Sequence, residues 1–339
     1  MNEGTIIIPD SDFIKKLTKE LEEKNSRPDA LYVDGHVELP WFMSNNACDS
    51  IFDELEKGPV TTETITQSGF RLFTTAIRCQ DIYNGEKSLS HFTRNLEYAK
   101  RILGNVAQVK DKGDIEELET DKDAIGTIFL LENADSLTAN TGLIISLREK
   151  GIYIVGLTHT GTNRIADGDS VQQSDGITPE GRDVIRGLLD NNILIDTAHL
   201  HRSCFWKLMD IIETPCVSSH TGISERCNIP GNINLEQAKQ IFDREGLVGI
   251  TFNPGMLSPD GEADVEDIFI HIDTVIQKFG PDFVAIGSDF CGFDTHTAGM
   301  EDYTGVSDLK KRMSDHGYLK NDIEKIMGLN WLRIFKKIL

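Results

Sequence analysis

Eight short apolar runs punctuate the chain, and stretches with helical spacing separate them. The runs are LYVDG (31–35), RLFTTAI (71–77), IGTIFLL (125–131), IYIVGLT (152–158), ILIDTA (193–198), CVSS (216–219), LVGITF (247–252) and FVAIGS (283–288). They are rich in Val, Ile, Phe and Thr, and most are apolar on both faces, as strands buried in a parallel sheet are. Between Ser88 and Leu103 the residues Leu89, Phe92, Leu96, Ala99 and Leu103 recur at helical spacing. Pro179 opens PEGRDVIRGLLDNN in the way a proline opens the first turn of a helix. Leu235 to Glu245, Val265 to Phe279 and Asn321 to Ile338 also read as helices. Strict alternation over eight units predicts a (β/α)8 TIM barrel, one domain over residues 31–339. An open doubly wound sheet would show a Gly-rich phosphate turn after its first strand, and DGHVELPW is not one. Residues 1–30 are expected to add an N-terminal helical extension, on the charge patterning of DFIKKLTKELEEK.

Composition narrows the function. At 339 residues and 39% hydrophobic content, the chain can fill one large core. Its 34 basic and 55 acidic residues give a net charge of -21, which disfavours nucleic acid and anionic membrane as partners. Cys48, Cys79, Cys204, Cys216, Cys227 and Cys291 form no CxxC pair, so reduced thiols are the expectation. The N-terminus lacks a basic start followed by an apolar stretch, and no run reaches membrane-spanning length. A cytoplasmic protein is therefore the expectation.

The chemistry sits where the apolar runs end. His36 and Glu38 close the first, Glu132 the third, His159 the fourth, His199 the fifth, His220 the sixth and Asp289 the eighth. Side chains at i and i+2 of an extended segment share a side, so His36 and Glu38 can reach one cation. Imidazole with carboxylate suits zinc or a similar divalent ion. Glu132 can bridge two metals, and His199 with His220 can complete a second site. Asp289 is a candidate for proton transfer, the alternatives being a further metal ligand or a strand-end cap. His159 is a candidate donor to an oxyanion, the alternative being a satisfied core histidine. His91 and His271 fall on helical patterns and read as packing residues. His201, two residues past His199, is a ligand decoy.

These blocks resemble the membrane dipeptidase (renal dipeptidase) family of zinc peptidases from about residue 31 onward. DGHVELPW, LLENADSL, LTHTGTNRIAD, GITPEGRDVIRGLLDNNILIDTAH, SSHTG, GLVGITFNP, IGSDFCG and GLNWLRIF follow the family's order. The resemblance implies a barrel with two zinc ions per chain that hydrolyses dipeptides, and a homodimer as a family-based expectation. It implies that His36 and Glu38 bind the first zinc, Glu132 bridges, and His199 and His220 bind the second. Asp289 would be the acid/base and His159 the oxyanion helper. Three positions depart from the pattern. Glu38 stands where the family usually has Asp. Gly231 stands where it places an arginine that grips the substrate carboxylate, and Asn253 stands where a tyrosine is expected. Arg226 is the nearby candidate to replace that arginine, so the substrate-binding expectation is His159, Arg226 and Asn253. Three functions follow from this reading: a dipeptidase, a hydrolase of another amide or lactam-like bond, and a catalytically dead ligand-binding barrel.

Overall fold

A computed structural model describes residues 31–46, 58–140 and 142–339. The expected N-terminal extension lies outside the described residues, as does Cys48. Every expected apolar run forms a strand. They are β1 (Tyr32–Val37), β2 (Phe70–Arg78), β3 (Gly126–Glu132), β4 (Ile152–Gly156), β5 (Leu194–Asp196), β6 (Cys216–Thr221), β7 (Leu247–Ile250) and β8 (Val284–Ile286). All neighbours are parallel and pair in chain order. A two-residue strand, Ala107–Gln108, adds to β3 from outside this path.

The first and last strands meet, which excludes the open doubly wound sheet. Val37 and Phe290 form a parallel bridge. Asp289 N donates to His36 O at 3.0 Å and Glu38 N to Phe290 O at 2.9 Å. Buried Asp34 fastens the same seam, accepting from Ser288 N at 2.8 Å and from Tyr303 Oη at 2.8 Å. The closing bonds therefore run directly through the residues that flank the chemistry.

Alternation along the strands divides the core in two. One cluster gathers Val33, Leu72, Ile128, Leu130, Ile154, Leu194, Val217, Leu247 and Ala285 with Trp331 and Phe335. It takes at least one residue from every strand, so it is the barrel lumen, plugged by the C-terminal helix Asn330–Ile338. Phe73, Phe129, Leu131 and Val155 point the other way, into the layer beneath the helices. Ile128 and Leu130 face inward, so Glu132 continues that series at the strand's C-terminal end. Gly35 is required by the plug, because a Cβ there would lie 2.0 Å from Trp331 Cζ2. The register of β1 against β2 shifts between Asp34 and Val37, just before the site residues.

The expected helices form over Ser88–Ile102, Pro179–Asp190, Leu235–Asp243 and Val265–Phe279. Thr178 Oγ1 caps the Pro179 helix by accepting from Gly181 N at 2.9 Å. The expected helix 321–338 is interrupted. A π-turn at Lys325–Leu329 separates Lys320–Glu324 from Asn330–Ile338. Gly328 lies in that turn, where a Cβ would sit 2.5 Å from Leu31 O, so the bulge follows close approach to β1. Shorter helices at Leu39–Asn45, Arg202–Met209 and Val306–Asp315 were not expected from spacing. Cys79, Cys204, Cys216, Cys227 and Cys291 are free and buried. No helix among the described residues is long and apolar enough to cross a membrane.

Candidate metal centre

The strand-end residues converge at the C-terminal mouth of the barrel, the end that carries active sites in this architecture. Three sets of ligand atoms each fall within 4.8 Å of one another: His36, Glu38 and Glu132; Glu132, His199 and His220; His36, His220 and Asp289. Glu132 Oε1 lies 3.2 Å from His199 Nε2 and 4.0 Å from His36 Nε2. The Nε2 atoms of His199 and His220 are 2.9 Å apart. The rings of His36 and His220 have centroids 4.0 Å apart. Glu132 and His220 thus belong to overlapping groups.

Four histidines are held through Nδ1, which in His36, His199 and His220 leaves Nε2 to face the group. Ser219 Oγ sits 3.1 Å from His36 Nδ1 and 3.0 Å from His220 Nδ1. Asp169 Oδ2 is 3.0 Å from His199 Nδ1, and Asp81 Oδ2 is 3.1 Å from His159 Nδ1. Partners of this kind fix ring orientation and tautomer in metal sites. Ser219, Asp169 and Asp81 were not foreseen from the sequence. Ser219 ends the run CVSS but is overshadowed by His220 beside it, and Asp81 and Asp169, which end no run, lie 78 and 30 positions from their histidines. Arg78 was also missed, although it ends RLFTTAIR just as the other site residues end their runs. Its Nη1 donates to Glu38 Oε2 at 2.8 Å, and its guanidinium lies 4.9 Å above the Trp41 ring.

Backbone strain concentrates here. His199 (φ 59°) and Asp289 (φ 61°) are left-handed, as is Asn133 (φ 68°) directly after Glu132. Non-glycine residues adopt this region at a cost and only where the surroundings enforce it.

The electrostatics are those of a buried mixed cluster. Burial pushes the Asp289 carboxyl up to about 7, against the pull of His199. Burial and neighbouring Glu132 drive Glu38 well above the usual carboxylate range, against Arg78. Burial would raise Glu132 too, but His199 and His36 hold it well below. Burial opposes charge on His199, yet Asp169 and Glu132 raise it well above an ordinary imidazole. Burial holds His36 down to about 4, with Glu132 opposing.

The donor set fits divalent cations. His36 Nε2 and Glu132 Oε2 are buried without a hydrogen-bond partner, and Glu132 Oε1 meets only His199 Nε2, at 3.2 Å. An orphaned buried polar atom costs about 1–3 kcal/mol, more when charged. All three atoms face the same group, and imidazole with carboxylate is the ligand chemistry of zinc-class ions. A shared cation satisfies them together.

Other expected residues lie as follows. Asn253 joins the site, its Nδ2 3.4 Å from Asp289 Oδ2 and its Oδ1 capping Gly255 N. Arg226 does not join it in this structure. It is exposed, and its Nε donates to Thr274 Oγ1 at 2.6 Å on the outer helix. Gly231 lies beside Asp169, whose Oδ2 would be 3.1 Å from an added Cβ. An acid therefore borders the position where the family resemblance puts a cation. His201 caps the helix that follows it. His271 is a packing residue, bonded to Ile223 N and Leu257 O. A cavity of about 520 Å³ lies by Ile193, Leu194 and the C-terminal helix, at the other end of β5 from His199.

A parallel barrel with a buried histidine–carboxylate cluster at the C-terminal ends of its strands is built as a metal-dependent hydrolase. The chain belongs to the membrane dipeptidase family (peptidase family M19), whose model matches residues 22–339. A protein from the pqqA 5′ region of Klebsiella pneumoniae is 28% identical over 235 residues, 66% of this chain and 86% of that one. The dipeptidase tcpJ of Claviceps purpurea is 26% identical over 61% of this chain and 49% of its own length. Two solved structures share the fold. Dipeptidase AC, a metallopeptidase of family M19, superposes with a TM-score of 0.83 at 20% identity, over 92% of this chain and 99% of that one. A metallopeptidase from Rhodobacter sphaeroides, liganded with a phosphinate mimic of L-Ala-D-Ala, gives 0.82 at 20% identity over 91% and 99%.

Proposed function

We propose that the protein is a dipeptidase working with two zinc ions per chain. The observation that supports this most is the buried set of ligand atoms on His36 and Glu132, with His36 Nε2 and Glu132 Oε2 orphaned, facing His199 and His220 in a chain of this family. His36 and Glu38 would hold the first zinc, His199 and His220 the second, with Glu132 bridging. Bound zinc acidifies a water and polarises the scissile carbonyl.

The chain's own groups do the rest. Asp289, raised toward neutrality by burial, accepts the proton of the attacking water and returns it to the leaving amine. The Asn253 amide steadies its Oδ2. His159 donates to the oxygen that becomes negative. With Nδ1 turned to Asp81, donation from Nε2 belongs to the imidazolium form. Asp169 and Ser219 are positioning residues for the ligating imidazoles.

A second reading, hydrolysis of another amide or lactam-like bond, is favoured by the Gly231–Asp169 contact, which supplies no cation for a dipeptide's carboxylate. One experiment separates these. Zinc-loaded protein is incubated with L-Ala-L-Ala and L-Ala-D-Ala, and free alanine is quantified for the wild type and Asp289→Asn. The dipeptidase reading expects alanine release that falls on the order of 10²- to 10⁴-fold in the variant with zinc content unchanged. No release from either peptide contradicts it, and a near-normal rate in the variant removes Asp289 as the proton carrier.

A further inference from the structure

A second cavity, about 310 Å³, lies between the end of β2 and the helix Ser88–Ile102, and its wall includes Arg78, the partner of Glu38. Its walls include Trp41, Arg78, Tyr83, His91, Arg94 and Tyr98. That volume is about ten times a water's share of liquid and suits a small group of atoms. Two guanidiniums line it in a chain whose net charge is -21. Among the described residues its lining contains no Asp or Glu.

The two arginines differ in commitment. Arg78 is tied to Glu38, and its Nε is buried without a hydrogen-bond partner. Arg94 is exposed and forms no ion pair with a carboxylate among the described residues. Its Nη2 lies 2.8 Å from His91 Nδ1, and Gln80 N and Asn95 Nδ2 lie 3.4 and 3.1 Å from His91 Nε2. Its guanidinium lies 5.9 Å from the Tyr83 ring centroid, and Tyr83 stacks on His91 at 4.0 Å. Burial, with Arg94 adding, holds His91 down to about 4, so it is a neutral platform at pH 7. A stacked, pre-oriented guanidinium is the group best shaped to receive a carboxylate. Across the metal centre, Gly231 and Asp169 offer the opposite sign.

We propose that this cavity is a carboxylate-binding subsite of the active site, with Arg94 as its free cation and Arg78 as the wall shared with the metal centre. The proposal rests on the dipeptidase reading. The carboxylate is either the dipeptide's terminus or an acidic side chain.

The test compares kcat/KM of zinc-loaded wild type, Arg94→Ala and Arg94→Glu on Ala-Ala, its C-terminal amide, and the amides of Glu-Ala and Ala-Glu. Calorimetric titration of the same proteins with glutarate runs alongside. Wild type should prefer a carboxylate-bearing substrate over the Ala-Ala amide by on the order of 10- to 100-fold, the worth of a charge-assisted pair. Arg94→Ala should bring that ratio near unity, and Arg94→Glu should invert it. Loss of the Ala-Ala preference over its amide assigns the terminus, and loss confined to the Glu-containing amides assigns the side chain. Glutarate binding should weaken at least tenfold in both variants. If no peptide is cleaved but glutarate binding still depends on Arg94, the subsite stands and the dipeptidase reading falls. If peptides are cleaved while neither the preference nor glutarate binding responds to Arg94, the subsite is refuted.

Discussion

Replacing Arg78 with alanine should destabilise the metal-free protein by about 3 kcal/mol and, at the same time, tighten zinc binding. Arg78 Nη1 lies 2.8 Å from Glu38 Oε2, with side chains 19% and 3% exposed. Breaking a buried ion pair from one side leaves an uncompensated charge, which costs about 3–5 kcal/mol. Glu38 has an escape, because its carboxyl already lies well above the ordinary 4.5. Holding an ordinary glutamate neutral at pH 7 costs about 3.4 kcal/mol, which caps the loss. Zinc neutralises Glu38 and Glu132 in place of Arg78, so the loaded variant should lose only about 1 kcal/mol. By linkage the difference of about 2 kcal/mol appears as zinc affinity raised roughly 30-fold. Urea unfolding at pH 7, with chelator and with saturating zinc, reads the first quantity, and competition against a chromophoric chelator reads the second. Equal destabilisation with and without zinc, or weaker zinc binding in the variant, would show that Arg78 does not compete with metal for Glu38.

Two further outcomes are expected. His199→Ala and His220→Ala should each lower kcat/KM severely, and the double variant should be little worse than either, since both are proposed to hold one ion; full additivity argues against a shared zinc. Asp135 concerns stability. Burial opposes its charge, but Arg164 and the Gly85 amide hold its carboxyl below the ordinary 3.8. Its contribution is therefore full above about pH 4 and is lost as pH falls through the lower folded value. Urea midpoints measured from pH 7 to pH 2.5 should fall less steeply below pH 4 in Asp135→Asn than in wild type, and parallel curves would count against the pair's role.

The strands were legible because parallel barrel strands are buried on both faces, so RLFTTAI or IGTIFLL reads as unbroken apolar sequence. The histidine–carboxylate cluster was legible because its polar residues end those runs. Arg78 obeys the same rule and was readable in principle. What the sequence hid was pairing. Asp169 with His199 and Asp81 with His159 depend on loops folding over the mouth, and no local spacing encodes that. The left-handed backbone at His199 and Asp289 was equally hidden, because neither is a glycine. Arg226 looked close to the site by count along the chain. The loop after β6 instead sends it outward to Thr274. The helix 321–338 looked continuous because its apolar spacing survives the π-turn, which tertiary contact at Gly328 imposes.

The two-zinc dipeptidase centre proposed at the mouth of the barrel is open to a titration in which zinc is added stepwise to chelator-treated protein and dipeptide hydrolysis is followed per equivalent bound. Activity should be absent without metal, rise with zinc and level off at two equivalents per chain. Hydrolysis by the metal-free protein, or two bound equivalents with no hydrolysis of any dipeptide, would contradict it.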